Sequence, residues 1–143
     1  MNTRASHKYL DESVALLQRL IAAPSFSRDE ASTADIWQQW LGERVGDVRR
    51  FHNNVYAVAP GFDPARPTLM LNSHHDTVRP SSSYTRDPFK PEIVDDRLYG
   101  LGSNDCGGGL VSLLQVFRTL RLAEDLPWNL VWLASCEEEV SGR

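Results

Sequence analysis

Apolar residues recur at helical spacing near the start of the chain. Between residues 8 and 22, Leu10, Val14, Leu17 and Ile21 follow one another at intervals of four, three and four, the pattern of an amphipathic helix. Pro24 and Ser25 interrupt it. A second helix is predicted from about Asp29 to Arg44, burying Ile36, Trp37, Trp40 and Leu41, with Gly46 as its stop. The period then changes. "VRRFHNNVYAVAPG" holds two strand-like pieces around the turn-prone pair Asn53-Asn54 and runs into a loop over residues 60–64. "PTLMLNSH" (67–74) is short, apolar and bounded by turn residues, which predicts a buried strand. Residues 79–91, rich in proline and serine, predict a loop, and "EIVDDRLYG" a hairpin turning at Asp95-Asp96. From Gly107 a helix is predicted with Leu110, Leu113, Leu114, Phe117 and Leu120 as its apolar stripe. "WNLVWLASC" (128–136) follows as a second strongly apolar strand.

Strands alternating with helices predict an α/β fold, a layered sheet at least partly parallel and flanked by helices. In such sheets ligands bind at the carboxyl ends of strands. Both apolar strands lead there into ionisable residues: one into His74-His75-Asp76, the other into Glu137-Glu138-Glu139.

Composition narrows the function classes. At 143 residues the chain is one domain's worth, with a net charge of −4. That charge argues against nucleic acid or an anionic membrane as partner. No apolar run approaches the ~20 residues that span a bilayer, and "MNTRASHKYLDESV" lacks the pattern of a signal peptide. Cys106 and Cys136 make no disulfide framework, so a cytoplasmic protein with reduced thiols is expected. Their wide separation in sequence points to small buried apolar residues rather than a zinc pair. His7 and His52 have no supporting context and read as surface residues.

Three polar clusters carry the candidate chemistry. In an extended segment His74 and Asp76 share a face while His75 points elsewhere, so an imidazole ligand would have a carboxylate beside it to orient it. A polar strand end is the plain alternative. In "GLGSNDCGGG" (100–109), Asp105 precedes a glycine run and a helix start, where the helix dipole would favour its charge. An ordinary N-cap, or a phosphate loop, competes with that reading. The sequence matches neither G-x-x-x-x-G-K-[ST] nor G-x-G-x-x-G, and an aspartate at the centre would repel a phosphate. Glu137-Glu138-Glu139 reads as a solvated charge run, or as like charges beside the core that call for a cation. In that order, each at an element boundary, the three favour a metal site.

"LNSHHDTV", "RLYGLGSNDCGGG" and "ASCEEEVSG" together resemble the M20 family of metallopeptidases and deacylases, which includes acetylornithine deacetylases, succinyl-diaminopimelate desuccinylases and glutamate carboxypeptidases. The motifs stand in family order, with 31 residues from His74 to Asp105 and 34 from Asp105 to Glu139. The resemblance implies a zinc-exopeptidase-like catalytic domain with two divalent ions, zinc or else cobalt or manganese. It implies His74 as ligand of one ion, Asp105 as the carboxylate bridging both, and Asp76 as the acid that clamps the machinery. Glu138 falls as general base and Glu139 as ligand of the second ion. Glu137 as base with Glu138 as ligand is the other register; Val140 favours the first. The implied reaction is hydrolysis of an amide bond in a small N-acyl amino acid or peptide, of the acetylornithine-deacetylase kind, with Glu138 moving the proton. Family members hold the peptide bond after the bridging aspartate in the cis form, which here would join Asp105 to Cys106.

Three positions depart from the pattern. Leu101 and Gly107 stand where many relatives carry Arg and Lys, and the proline behind Thr77-Val78 is displaced by Arg79 to Pro80. None is an implied ligand, so subgroup and substrate are what they leave open. The family also supplies a further acidic ligand, a lid domain through which homodimers form, and a late histidine. The resemblance therefore implies that residues 1–143 are the N-terminal part of a metallohydrolase catalytic domain, with an incompletely covered sheet and no hydrolysis alone. Two other classes are a non-catalytic binding module that keeps the fold, and a flavodoxin-like nucleotide binder, which Asp105 disfavours.

Overall fold

The computed structural model describes residues 3–140, with side chains from Tyr9 onward. Helices α1 (Thr3–Ile21) and α2 (Ala31–Arg44) come first. The hairpin β1 (Val48–Phe51) and β2 (Asn54–Val58) follows, then β3 (Thr68–His74), the short hairpin β4 (Glu92–Val94) and β5 (Arg97–Tyr99), α3 (Gly109–Leu120) and β6 (Asn129–Ser135). The main sheet runs β1-β2-β6-β3. β1, β2 and β6 pair antiparallel, while β3 and β6 pair parallel from Thr68 opposite Asn129 to His74 opposite Ser135. The mixed sheet and its flanking helices are the predicted architecture.

α2 and α3 pack on one face of this sheet, and α1 packs against both of them. Trp37 of α2 and Trp132 of β6 are fully buried, with ring centroids 4.9 Å apart. Around them lie Leu110, Leu114 and Phe117 of α3, and Val55, Ala57 and Ala134 of the strands. The buried stripe of α1 is Leu16, Leu17, Leu20 and Ile21, with Leu10 exposed. The stripe is thus rotated from the predicted one, because α1 meets both α2 and the start of α3. The opposite sheet face, around Tyr56, Val58, Met70 and Leu133, has no helix over it among the described residues, and Phe51, Phe62 and Met70 are exposed there.

One strand expectation is reversed. β3 is not buried: it is the sheet edge, and Thr68, Leu69 and Met70 are exposed. β6, the second strongly apolar strand, lies between β2 and β3, where Leu130, Val131, Trp132 and Ala134 are buried. An apolar run shows that a strand meets apolar neighbours, not which strand takes the central place.

The approach to α3 is tighter than predicted. The helix begins at Gly109, after an irregular turn over Ser103–Gly108 in which Gly107 N–H donates to the Gly102 carbonyl at 2.9 Å. A Cβ on Gly107 would lie 2.6 Å from both the Gly102 carbonyl oxygen and Leu17 Cδ1, and one on Gly108 2.8 Å from the Ser103 carbonyl oxygen. These glycines let the turn close against α1, and they leave no room for a lysine at 107. Gly107→Ala is expected to cost about 1–3 kcal/mol through this clash with backbone, read as a lowered urea midpoint; an unchanged midpoint would mean the turn is looser than described.

Candidate metal centre

Parallel pairing puts the carboxyl ends of β3 and β6 side by side. The ladder continues one step past β3, where His75 N–H donates to the Ser135 carbonyl at 3.0 Å. Thr77 N–H donates to the Ser25 carbonyl at 2.8 Å and ties the segment to the α1–α2 loop. Asp76, between these anchors, is fully buried. Its Oδ1 accepts the Glu138 N–H at 3.1 Å, and its Oδ2 accepts the Glu139 N–H at 3.1 Å and the Ser27 hydroxyl at 2.7 Å. Three neutral donors thus satisfy a buried charge.

His74 is buried, 8% exposed. Its Nδ1–H donates to the Asp76 carbonyl oxygen at 3.1 Å and lies 3.5 Å from Asp76 Oδ1. With the proton on Nδ1, the lone pair of the neutral ring is on Nε2. Nε2 faces Asp105 Oδ1 at 3.1 Å and Glu138 Oε2 at 3.9 Å. A lone pair opposed to two carboxylates is repulsive unless a proton or a cation lies between them. Burial pulls the His74 imidazole down, but the hydrogen bond to Asp76, its carboxylate, Asp105 and Glu138 outweigh that and hold it above its ordinary value. The same electron-rich arrangement fits a divalent ion.

Asp105 enters this group from the irregular turn. Its φ of −114° and ψ of 98° are not helical, and the Asp105–Cys106 peptide bond is cis, as the family resemblance implies. Asp105 is not the cap of α3, which begins behind Gly108. Its side chain is 77% exposed. His74, Asp105 and Cys106 each offer one donor atom, all within 4.8 Å of one another. Cys106 is therefore no core filler, and both cysteines are half-buried. Burial, then the charges of Glu30 and Glu137, push the Cys136 thiol up.

The three glutamates part company. Glu137, at φ +60°, turns its carboxylate to Arg28 Nε at 3.5 Å. Glu138 and Glu139 lie in a single tight turn, Glu138–Val140, rather than on an extended segment. Glu138, 60% exposed, reaches toward His74. Glu139 lies outside the His74–Asp105–Cys106 group. Burial raises its carboxyl, and repulsion from Asp105 adds to the effect.

Sequence reading missed the supports behind these residues. Glu30, fully buried, accepts the Arg28 N–H at 2.7 Å and the Glu137 N–H at 3.1 Å on Oε1, and the Asn53 amide at 2.9 Å on Oε2. Asn54 Oδ1 accepts the Cys136 N–H at 3.2 Å. His75 Nε2–H donates to the Asn53 carbonyl at 2.9 Å, and its Nδ1 lies 2.9 Å from the Thr33 hydroxyl. Burial holds the His75 imidazole below its ordinary value, as suits a neutral structural ring. The turn-prone Asn53-Asn54 pair was the one legible signal; an acid at a helix start gave none. His52 is exposed against Phe51, and the His7 side chain lies outside the described residues.

A family model described as peptidase family M20/M25/M40 matches residues 70–143. The chain is 34% identical over 134 residues to a succinyl-diaminopimelate desuccinylase of Caulobacter sp. (strain K31), covering 90% of this chain and 33% of that protein. It is 32% identical over 154 residues to an acetylornithine deacetylase of Edwardsiella ictaluri, covering 99% and 38%. An N-formyl-4-amino-5-aminomethyl-2-methylpyrimidine deformylase of Halalkalibacterium halodurans is 32% identical over 146 residues, covering 93% and 34%. The chain thus spans about a third of the length of these relatives. Among solved structures, human carnosine dipeptidase 1 superposes with a TM-score of 0.67 at 22% identity, over 96% of this chain and 34% of that one. An M20 family metallo-carboxypeptidase from Sulfolobus solfataricus does so with a TM-score of 0.69 at 24% identity, over 98% and 32%. These two share the fold. With a model match over half of the chain, the chain belongs to peptidase family M20/M25/M40.

Proposed function

We propose that the chain is the N-terminal part of the catalytic domain of a metal-dependent hydrolase acting on an amide bond of a small N-acyl amino acid or peptide, an acetylornithine-deacetylase-like reaction. The observation that carries this reading is the placement of His74 Nε2, 3.1 Å from Asp105 Oδ1 and 3.9 Å from Glu138 Oε2, where a proton or a cation has to stand between the ring nitrogen and the carboxylates. Relatives named for removing succinyl, acetyl and formyl groups support the acyl-amide class without choosing among acyl groups. In this reading His74 would hold one of two divalent ions, zinc or else cobalt or manganese; Asp105 would bridge both and Glu139 would hold the second. Bound ions would supply Lewis-acid polarisation of the scissile carbonyl and a more acidic water.

The chain's own residues do the rest. Glu138 is half out in solvent with its carboxylate toward the centre, so it can take a proton from water and deliver it to the leaving nitrogen. Its backbone is held by Asp76, so the proton carrier sits on a fixed turn. Glu137, engaged with Arg28, is turned from His74 and supports the Glu138-base register. No described helix is long and apolar enough to cross a membrane; a cytoplasmic enzyme without nucleic-acid or membrane partner is proposed, dimerising through parts beyond these residues. The open sheet face supports a need for further chain, and no measurable turnover is expected from the 143 residues alone. An intact mass of the native protein equal to 16.1 kDa, together with turnover by it, would defeat that part of the proposal.

Isothermal titration of the chain with Zn²⁺ or Co²⁺ is expected to show binding that His74→Ala abolishes. Binding unaffected by that substitution would place the ion elsewhere. Asp76→Asn turns an amide toward backbone N–H donors and is expected to weaken metal affinity by about 10–100-fold. In the enzyme with its full complement of domains, Glu138→Ala is expected to retain metal and lower hydrolysis by ~10²–10⁴-fold. A rate unchanged by Glu138→Ala would favour a binding module.

A further inference from the structure

The turn that carries Glu138 and Glu139 is held from two sides. Asp76 takes two of its N–H groups. The third, on Glu137, goes to a different buried carboxylate, that of Glu30, which lies just ahead of α2 and far away in sequence. Three successive backbone donors therefore end on two acids, neither of which is exposed to solvent. A run of N–H groups pointing the same way needs such acceptors when it is shut off from water.

The Glu30 carboxylate also holds the backbone in an unusual shape. Arg28 and Glu137 have φ of +76° and +60°, in the left-handed region that side chains other than glycine rarely adopt. Both donate their N–H to the same oxygen, Glu30 Oε1, at 2.7 and 3.1 Å. Their side chains then meet across it, Arg28 Nε to Glu137 Oε2 at 3.5 Å. Backbone conformations of this kind persist where the surroundings over-determine them. On the far side, Oε2 accepts the Asn53 amide at 2.9 Å, and Asn53 Oδ1 in turn accepts Arg50 at 3.0 Å. No arginine or lysine among the described residues pairs with Glu30, so its charge is satisfied by N–H groups alone.

We propose that Glu30 is a positioning residue for the candidate metal centre: by gripping the Glu137 N–H against the Asn53 turn, its carboxylate fixes where Glu138 and Glu139 stand relative to His74 and Asp105. This rests on the metal-centre reading for its consequence, though not for the placement itself. Glutamate is required at position 30 by the donor pattern. Glutamine could accept both backbone N–H groups on its oxygen, but its own NH₂ would then face the NH₂ of Asn53. Turning Asn53 over to answer it would take away the acceptor that Arg50 uses. Replacing Asn53 by aspartate supplies acceptors in both directions and should repair the mismatch.

The experiment compares the chain with Glu30→Gln, Asn53→Asp and the double variant, by ¹⁵N–¹H spectra and by Co²⁺ titration. Glu30→Gln is expected to shift the amides of Glu137, Glu138 and Glu139 and to weaken Co²⁺ binding about tenfold or more. The double variant is expected to recover both. Amides of Glu138 and Glu139 that stay in place with Co²⁺ affinity intact in Glu30→Gln would overturn the proposal. If Glu30→Gln does not fold, Glu30→Asp keeps the carboxylate and draws it back by one methylene from the Glu137 N–H. It should then shift the same three amides, and their failure to move would equally overturn the proposal. A wild-type chain that binds no Co²⁺ would sink the metal-centre reading, and the amide shifts would still decide whether Glu30 places the turn.

Discussion

The parallel pairing of β3 with β6 is the constraint from which the rest follows. Seven residues of strand span about 23 Å. Were the two strands antiparallel, His74 and Glu138 would lie at opposite ends of the sheet. Because they run together, with His74 opposite Ser135, the next residues of each leave the sheet at the same edge. The crossover between them, through the β4–β5 hairpin and α3, brings Asp105 to that edge as well. Two strand ends and one turn thus deliver residues from three distant parts of the sequence to one place, as expected for a ligand site at the carboxyl ends of parallel strands.

That meeting point is held by hydrogen bonds rather than by ion pairs. Asp76 and Glu30 are both buried and both satisfied by N–H and O–H donors. Such donors satisfy the carboxylate oxygens without bringing a cationic side chain to the site. Asp76 and Glu30 therefore stand beside Asp105, Glu138 and Glu139 in a neighbourhood of acids. Arg28 answers Glu137 from the surface. Burial first, and then the charge of Asp105, raises the Glu139 carboxyl; the imidazole of His74 is raised by Asp76, Asp105 and Glu138 against the pull of burial. A cation and a proton are alternative answers to one such electrostatic arrangement.

Much of the framework was legible in the chain itself. The period of Trp37, Trp40 and Leu41 predicted the buried side of α2, and the apolar stripe of Leu110, Leu114 and Phe117 that of α3. The hairpin turn at Asp95-Asp96 also agrees with prediction, both residues having positive φ. His74, Asp105 and Glu138 were singled out from motifs at element boundaries, and the structure brings them within reach of one another. What the pattern could not convey was neighbourhood. Nothing in "PTLMLNSH" distinguishes an edge strand from a central one, and Cys106 looked like a core residue because its approach to His74 depends on an irregular turn. Glu30 was invisible for the same reason, since its partners lie 2, 23 and 107 positions away.

The sequence alone determined local chemistry: which segments are amphipathic, where glycines permit close approach, and which ionisable groups end the strands. These properties depend on side-chain type and short spacing, so they survive without knowledge of the fold. Strand order decided the rest. It chose the covered face and the exposed edge. It also set which of three consecutive glutamates faces His74 and which buried acids hold their backbone. Each of those is a relation between residues far apart in the chain, and only packing into three dimensions puts such residues within a hydrogen bond of one another.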